Sequence, residues 1–537
     1  MCRIAPWLVA LSLAVLPAQA APRSYAERFD KPLQGRLADP LNRAALAGER
    51  ASSNALRQAA EQRMVTVVFE MAEGASARDL AGPVQKLGGK LLGEAPGLVK
   101  ASVPTRALRV LAADRSVVRV REPFRPSRKE IVSAGVPAIR ADSYVARTGA
   151  DGAGVRVGIL DGGFARVEEM IGRELPENTE LLPSVADRVG SFDSVHGTAC
   201  AEIVHDVAPG ATLVLGTFAD EVDWFRAVNE MVGAGVKVIS HSVGFDNYFP
   251  ADGRHPFAQT VNSLQSQGIL FVTAAGNEAG NYYQGTWRDA DNDQIMEAVP
   301  GVELIPILVA EDGAFLILRW DDLFGFSNHD YDLLVVTEDF LANPSLDPAN
   351  PAIVALSADT QAGADGVPRE ALYVEGNGEV RLLYAAIVHD SASPLLATQK
   401  FWLYSEYGVH PDLAVASGTL SLPADAGGAV TVGAVNLAGL VLEGYSSRGP
   451  TVDGRVKPDL AAPDNVETAA YDGETFLGTS AATPHAAGAA ALLLSRNRNL
   501  NLLQLRDQLE KATASGGLAA AKNNDVGYGV IDLSRAP

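Results

Sequence analysis

Residues 155–163 read Val155-Arg156-Val157-Gly158-Ile159-Leu160-Asp161-Gly162-Gly163. A largely apolar run that ends on a carboxylate and two glycines is a buried strand delivering an acid to a turn. Similar runs recur at Thr212–Gly216, Val236–Ser240 and Ile269–Ala274, with helical segments at Ala199–His205, Val222–Ala234 and Pro256–Gln267 between them. Apolar strands separated by helices imply an α/β domain whose parallel sheet is covered on both faces.

Downstream the alternation stops near Asn281. From Trp287 to about Asp412 the pattern is all β, with strands expected at Phe315–Trp320, Tyr331–Val336, Val380–Val388 and Lys400–Tyr404. The α/β pattern returns at Ala429–Val435 and in an Ala/Leu-rich helix from Thr479 to Leu494. A β module over 284–412 is therefore expected as an insertion whose two ends lie close in space.

Upstream, Met1-Cys2-Arg3, an apolar stretch from Ile4 to Leu16 and Ala18-Gln19-Ala20 form the pattern of a cleavable signal peptide over residues 1–20. No later apolar stretch is long enough to span a bilayer, so the mature protein is expected to be soluble. Residues 21–60 read as a polar lead-in with helical character from Pro40 to Gln62. From Arg63 the expected order is strand Val65–Phe69, helix Ala75–Leu87, strand Gly97–Val103, helix Arg106–Ala113 and strand Val117–Val120, a small α+β module over about residues 63–122. The link Arg125-Pro126-Ser127-Arg128-Lys129-Glu130 that follows has the polarity of an exposed, cleavable segment.

The 537 residues are 47% hydrophobic and 20% charged, which places the chain among compact globular proteins rather than disordered ones. Forty-four basic against 65 acidic side chains give a net charge of −21, which argues against a nucleic-acid partner. The charge is divided: residues 1–135 carry +9 and residues 136–537 carry −30, as expected of a basic piece docking on an acidic body. Of the two cysteines, Cys2 leaves with the signal, so no internal disulfide is expected.

Three side chains at element ends suit a nucleophilic relay. Asp161 closes a strand, His196 opens a helix in Ser194-Val195-His196-Gly197-Thr198, and Ser480 starts another in Gly478-Thr479-Ser480-Ala481-Ala482-Thr483-Pro484-His485. A seryl oxygen is a weak nucleophile until an imidazole takes its proton, and a carboxylate must hold that imidazole in the right tautomer. The helix start supplies a backbone N–H where oxyanion charge develops, and Asn277, after Ala274-Ala275-Gly276, offers a side-chain amide as second donor.

Asp161-Gly-Gly, His196-Gly-Thr, Ala-Ala-Gly-Asn277 and Gly-Thr-Ser480-Ala-Ala-Thr-Pro-His resemble, in this order, the signatures of subtilisin-like serine peptidases. Supporting matches are Gly152-Ala-Gly-Val155, Val207-Ala-Pro-Gly-Ala211, Tyr445-Ser-Ser-Arg-Gly-Pro450, Lys457-Pro-Asp-Leu-Ala-Ala-Pro463 and Gly527-Tyr-Gly-Val-Ile-Asp-Leu533, covering about residues 150–280 and 415–535. The resemblance implies a subtilisin-like doubly wound sheet over 131–537, interrupted by a β-sandwich at 284–412, and a propeptide over 21–130 that chaperones folding and blocks the site. It also implies that Ser242, Val243 and Gly244 pair with an extended substrate, while Ala274, Ala275 and Gly276 wall the primary specificity pocket.

The expected protein is thus a secreted or periplasmic serine endopeptidase, made as a self-processing proenzyme. Its partners would be protein or peptide substrates and its own propeptide, with neither nucleic acid nor a transmembrane segment after signal removal. No cofactor is required. Asp289-x-Asp291-x-Asp293 resembles a calcium loop but lacks the Gly and bidentate Glu of an EF-hand, so calcium stays an option beside a solvated acidic turn.

One departure stands out. Most family members carry Asp-Thr-Gly or Asp-Ser-Gly where this chain has Asp161-Gly162-Gly163, so a hydroxyl beside the catalytic carboxylate is missing. It is the residue-level support for an alternative, a catalytically weak or degenerate relative acting as a binding or adhesion protein through its β insert. A processing peptidase with one narrow target differs from the main reading only in substrate scope. His485 is expected to pack against the sheet and Cys200 to act as a small buried hydrophobe.

Overall fold

The computed structural model describes residues 64–121, 123–124, 135–345, 347, 349–361, 366–390, 393–514 and 521–537. The signal peptide, the lead-in and the candidate cleavage segment Arg125–Ile131 lie outside the described residues.

The N-terminal module has strands β1 (Met64–Met71), β2 (Lys90–Ala95), β3 (Leu98–Pro104) and β4 (Val117–Arg121) in the antiparallel order β2-β3-β1-β4. Helices α1 (Ala77–Lys86) and α2 (Thr105–Ala112) cover it, burying Phe69, Leu80, Val84, Leu108 and Leu111 in a core of its own. The sequence reading had no β2. The strand is an edge whose residues alternate between exposed and half-buried, so it lacks the apolar run that marks its neighbours.

The body is one nine-stranded sheet. Strands β5 (Arg156–Asp161), β6 (Glu180–Leu181), β7 (Thr212–Thr217), β8 (Val238–His241) and β9 (Leu270–Ala274) come before the insertion. After it come β18 (Ala429–Val435) and β19 (Leu460–Pro463), and the sheet runs β19-β18-β9-β8-β5-β7-β6 in parallel, with two short strands beyond β19. Helices α3 (His196–Val207) and α6 (Thr479–Arg496) pack on one face; α4 (Glu221–Gly233) and α5 (Pro256–Leu264) cover the other. Both faces are therefore dry, which is why β5, β7, β8 and β9 read as continuous apolar runs. Chain order reverses at β5, with β7 on one side and β8 on the other, and a crevice opens at the carboxyl ends of strands where such a reversal occurs.

The insertion is two antiparallel four-stranded sheets, built from β10 (Tyr282–Thr286), β11 (Ile305–Val309), β12 (Gly313–Trp320), β13 (Tyr331–Val336), β14 (Ile353–Ser357), β15 (Arg369–Glu375), β16 (Arg381–His389) and β17 (Lys400–Ser405). The orders are β10-β17-β12-β15 and β11-β16-β13-β14, and the inner faces bury Trp320, Tyr331, Leu333 and Phe401. Its first and last strands pair, Tyr282 opposite Tyr404, so the chain leaves and re-enters the body at one place.

Both accessory pieces are fastened to the body by charge and by buried amides. Lys100 Nζ lies 2.5 Å from Asp220 Oδ2 and 3.0 Å from Asp223 Oδ2 at the start of α4; Arg121 pairs with the buried Glu221, whose Oε2 accepts from the Phe124 N–H at 2.7 Å. Asn247 Nδ2 donates to the carbonyls of Ile317 (2.8 Å) and Trp402 (2.9 Å), and Arg369 Nη1 to that of Tyr248 (2.7 Å), pinning the sandwich. Among the described residues no helix is long and apolar enough to cross a membrane.

Candidate active site

Asp161 ends β5 and His196 begins α3, and two glycines let these ends touch. A Cβ on Gly197 would meet Gly163 O at 2.7 Å and Asp161 Cβ at 2.8 Å; as built, Gly197 N donates to Gly163 O at 2.8 Å. The contact sets His196 Nδ1 at 2.8 Å from both carboxylate oxygens of Asp161, with the two residues buried. The Gly162 N–H donates to Asp161 Oδ1 at 2.8 Å, so a backbone amide supports the carboxylate where a hydroxyl was expected to be missed. The Phe476 ring stands nearly perpendicular to the imidazole with the ring centroids 5.2 Å apart, and His196 Nε2 is buried without a hydrogen-bond partner.

Ser480 is the second residue of α6, where N–H groups have no carbonyl one turn back. Pro484, one turn further on, has no N–H to give to Ser480 O. The freed carbonyl accepts instead from Ser242 Oγ at 2.9 Å and from Cys200 Sγ at 3.7 Å. The Ser480 hydroxyl donates in turn to Ser242 O at 2.9 Å.

Asn277 follows β9. Its Oδ1 accepts from the Thr479 N–H and Oγ1, both at 2.9 Å, which turns its amide nitrogen toward the start of α6. Gly478, at φ +115°, is the residue this approach requires, because a Cβ there would lie 2.8 Å from Asn277 Nδ2. Ser242-Val243-Gly244 and Ala274-Ala275-Gly276 leave the adjacent strands β8 and β9 on the same side, next to Ser480. The structure thus gathers Asp161, His196, Ser480 and Asn277 at the crevice, with both backbone strips beside them.

From this point a cleft of about 1090 Å³ runs to the sandwich. Asp161, His196, Val243 and Asn277 line the body side, while Phe315, Tyr373, Tyr404 and Glu406 of the insertion form the opposite wall. The sequence reading found none of the wall, nor Asp246, Glu278 and Ser421 at the base. For Glu278 and Asp246 a signal existed: each follows a recognised strip within two residues. The wall residues have no local signal, because only the docking of the insertion brings them here.

The phenols of Tyr282 and Tyr404 are held well above their ordinary range, first by burial and then by the nearby charges of Asp246 and Glu278. Burial also pushes the Cys200 thiol up, helped by the charge of Asp161, so Cys200 is a neutral weak donor here. His485 is buried with Nδ1 2.9 Å from Ala481 O, and burial lowers its pKa to about 4, a packed neutral imidazole on the catalytic helix. Among the described residues two groups bring potential metal ligands within 4.8 Å of one another: Asp161, His196 and Cys200, where the first two already engage each other, and Asp289, Asp291 and Asp293.

A model of the subtilase family matches residues 152–296 and 412–529, the stretches on either side of most of the insertion. Serine protease AprX of Bacillus subtilis is 34% identical over 120 residues, which cover 18% of this chain and 27% of that protein. Subtilisin of Bacillus pumilus is 37% identical over 94 residues, 18% of this chain and 33% of that one. The chain therefore matches about a third or less of the length of these relatives. The solved CspB protease of Clostridium perfringens superposes with a TM-score of 0.52 at 16% identity, covering 74% of this chain and 98% of that chain, a likeness of fold.

Proposed function

The chain belongs to the subtilase family, and from that premise we propose that it is an exported serine endopeptidase, made as a proenzyme, that hydrolyses peptide bonds in proteins. The observation that carries the proposal is the His196–Asp161 pair at 2.8 Å, whose free Nε2 is buried beside α6, the helix that carries Ser480 in its first turn. A buried imidazole with one nitrogen engaged and the other orphaned is a base waiting for a proton donor.

In the proposed reaction the substrate lies extended along Ser242-Val243-Gly244. Its arrival turns the Ser480 hydroxyl from Ser242 O to His196 Nε2, which takes the proton as Oγ bonds to the scissile carbonyl carbon. Asp161 holds the resulting imidazolium, and Asn277 Nδ2 with the Ser480 N–H stabilise the oxyanion. His196 returns the proton to the departing amine, and water then releases the acyl group by the same relay.

The N-terminal module is read as a propeptide that leaves after cleavage within Arg125–Ile131. Support comes from its own core and from ion pairs that join it to α4 without a shared strand. The signal pattern of residues 1–20 supports a secreted or periplasmic location. Against the degenerate alternative stands the His196–Asp161 contact, which forms at 2.8 Å without a hydroxyl at position 162.

The test is labelling by a fluorophosphonate, which reacts with an activated serine, together with hydrolysis of casein by wild type and Ser480→Ala. Labelling and turnover in the wild type alone are expected. Equal turnover by Ser480→Ala would show the nucleophile to be wrong, and an unlabelled, inactive wild type would favour the binding-protein alternative.

A further inference from the structure

Asn277 Nδ2 and the Ser480 N–H fix where the scissile carbonyl oxygen sits. On the peptidase reading, the resemblance implies that the residue owning that carbonyl sends its side chain between Ser242-Val243-Gly244 and Ala274-Ala275-Gly276, the two strips at the ends of the adjacent strands β8 and β9. What lies at the end of that slot decides which side chain fits.

Ser421 N donates to Ala275 O at 2.9 Å, placing Ser421 under the second strip, and its hydroxyl donates to Asp246 Oδ1. Asp246 is 3% exposed and lines the cleft; its Oδ2 has no hydrogen-bond partner, and no ion pair to it exists among the described residues. Glu278, 5% exposed, joins it from the Asn277 side, accepting from Asn277 N at 3.2 Å and Asn281 Nδ2 at 2.9 Å. The cation facing Tyr282 here is Arg319, which is engaged by Asn247 Oδ1 at 3.3 Å and the Trp402 ring at 4.3 Å. A buried carboxylate oxygen with neither donor nor countercharge is unfavourable until a cation arrives.

We propose that this slot takes the side chain of lysine or arginine, so that the enzyme cleaves after a basic residue, with Asp246 as the group that receives the charge. The proposal rests on the peptidase reading above. The chain's own sequence fits it independently. Three of the six residues 125–130 are basic: Arg125, Arg128 and Lys129. They follow Phe124, whose ring lies 4.1 Å from that of Tyr248, a residue of the cleft. Self-processing at this segment would thus offer the slot the side chain it selects.

The test uses the full chain without residues 1–20 and three fluorogenic peptides that differ only before the scissile bond: arginine, its uncharged isostere citrulline, and phenylalanine. Arginine is expected to exceed citrulline at least about tenfold in kcat/KM, and Asp246→Asn to shrink that ratio to about threefold or less. Should Asp246→Asn fail to fold, Glu278→Gln is expected to shrink the ratio in the same direction. Equal turnover of arginine and citrulline by the wild type overturns the specificity. If fluorophosphonate still labels Ser480 in that case, the peptidase reading stands while this one falls; if nothing is labelled, both fall.

Discussion

Ser242 and Ser480 exchange hydrogen bonds, each hydroxyl donating to the other's carbonyl oxygen at 2.9 Å. The exchange ties the end of β8 to the first turn of α6. It also keeps the nucleophile's proton on an acceptor other than His196.

Ser242→Ala removes the donor to Ser480 O, a carbonyl that Pro484 has already deprived of its helical partner. Leaving a buried acceptor short of a donor costs about 1–3 kcal/mol, so the melting temperature should fall. The first turn of α6 should also loosen, lowering kcat more than it raises KM. Calorimetry beside steady-state kinetics checks both, and an unchanged melting temperature would contradict the account.

Gly162→Ser is expected to raise activity. A Cβ on Gly162 meets nothing within 4 Å, so the hydroxyl has room to give Asp161 a second donor, a gain of about 0.5–1.5 kcal/mol or about two- to tenfold in kcat/KM. Gly163→Ala is the opposite case, because its Cβ would lie 2.7 Å from Ser194 O. Comparing the two variants on one substrate separates a missing hydroxyl from a steric demand.

Asp161→Asn should leave the fold intact and lower kcat by about 10⁴-fold, because the amide no longer selects the tautomer that leaves Nε2 free. A loss below tenfold would mean that packing against Phe476, rather than Asp161, holds the imidazole in place.

Glu202 should make stability fall with rising pH. It is buried, accepts from Ala469 N at 2.8 Å and Ala470 N at 3.0 Å, and burial pushes its carboxyl up to about 7, with Glu174 and Asp206 adding to the rise. The folded state therefore keeps a proton that the unfolded chain releases near 4.5, and the stability this provides is lost as pH rises through 7. Relative to Glu202→Gln, the wild type should lose roughly 1–3 kcal/mol between pH 5 and pH 8 in urea titrations. Parallel profiles for the two proteins would refute this.

The relay was legible in the sequence because each of its parts is local. Asp161 closes an apolar strand, His196 and Ser480 open helices, and the glycines that permit the close approaches sit beside them. At the base of the cleft Asp246 and Glu278 stand within two residues of recognised strips, but Ser421 and the wall residue Tyr404 were not legible, since their segments meet the site only in the folded chain. Within the insertion, β10, β11, β14 and β15 escaped the reading for a related reason. Strand β15 carries Arg369 and Glu370, polar residues that the fold buries through Tyr248 O and through Ser357 and Gln361, and no periodicity reports such partners. Strand β11 contains Pro306, which argues against a strand until its position is known.

The pairing of Tyr282 with Tyr404 and the clamp at Asn247 together give the cleft a rigid jaw. A wall tied by its paired entry and exit strands and by two hydrogen bonds from the Asn247 side-chain amide to backbone carbonyls resists swinging aside to admit a bulky guest. On the proposed peptidase reading its spacing would act as a gauge, turning a compact domain away and admitting a frayed terminus or a long surface loop, so that how far a target has already come apart would be read before its sequence.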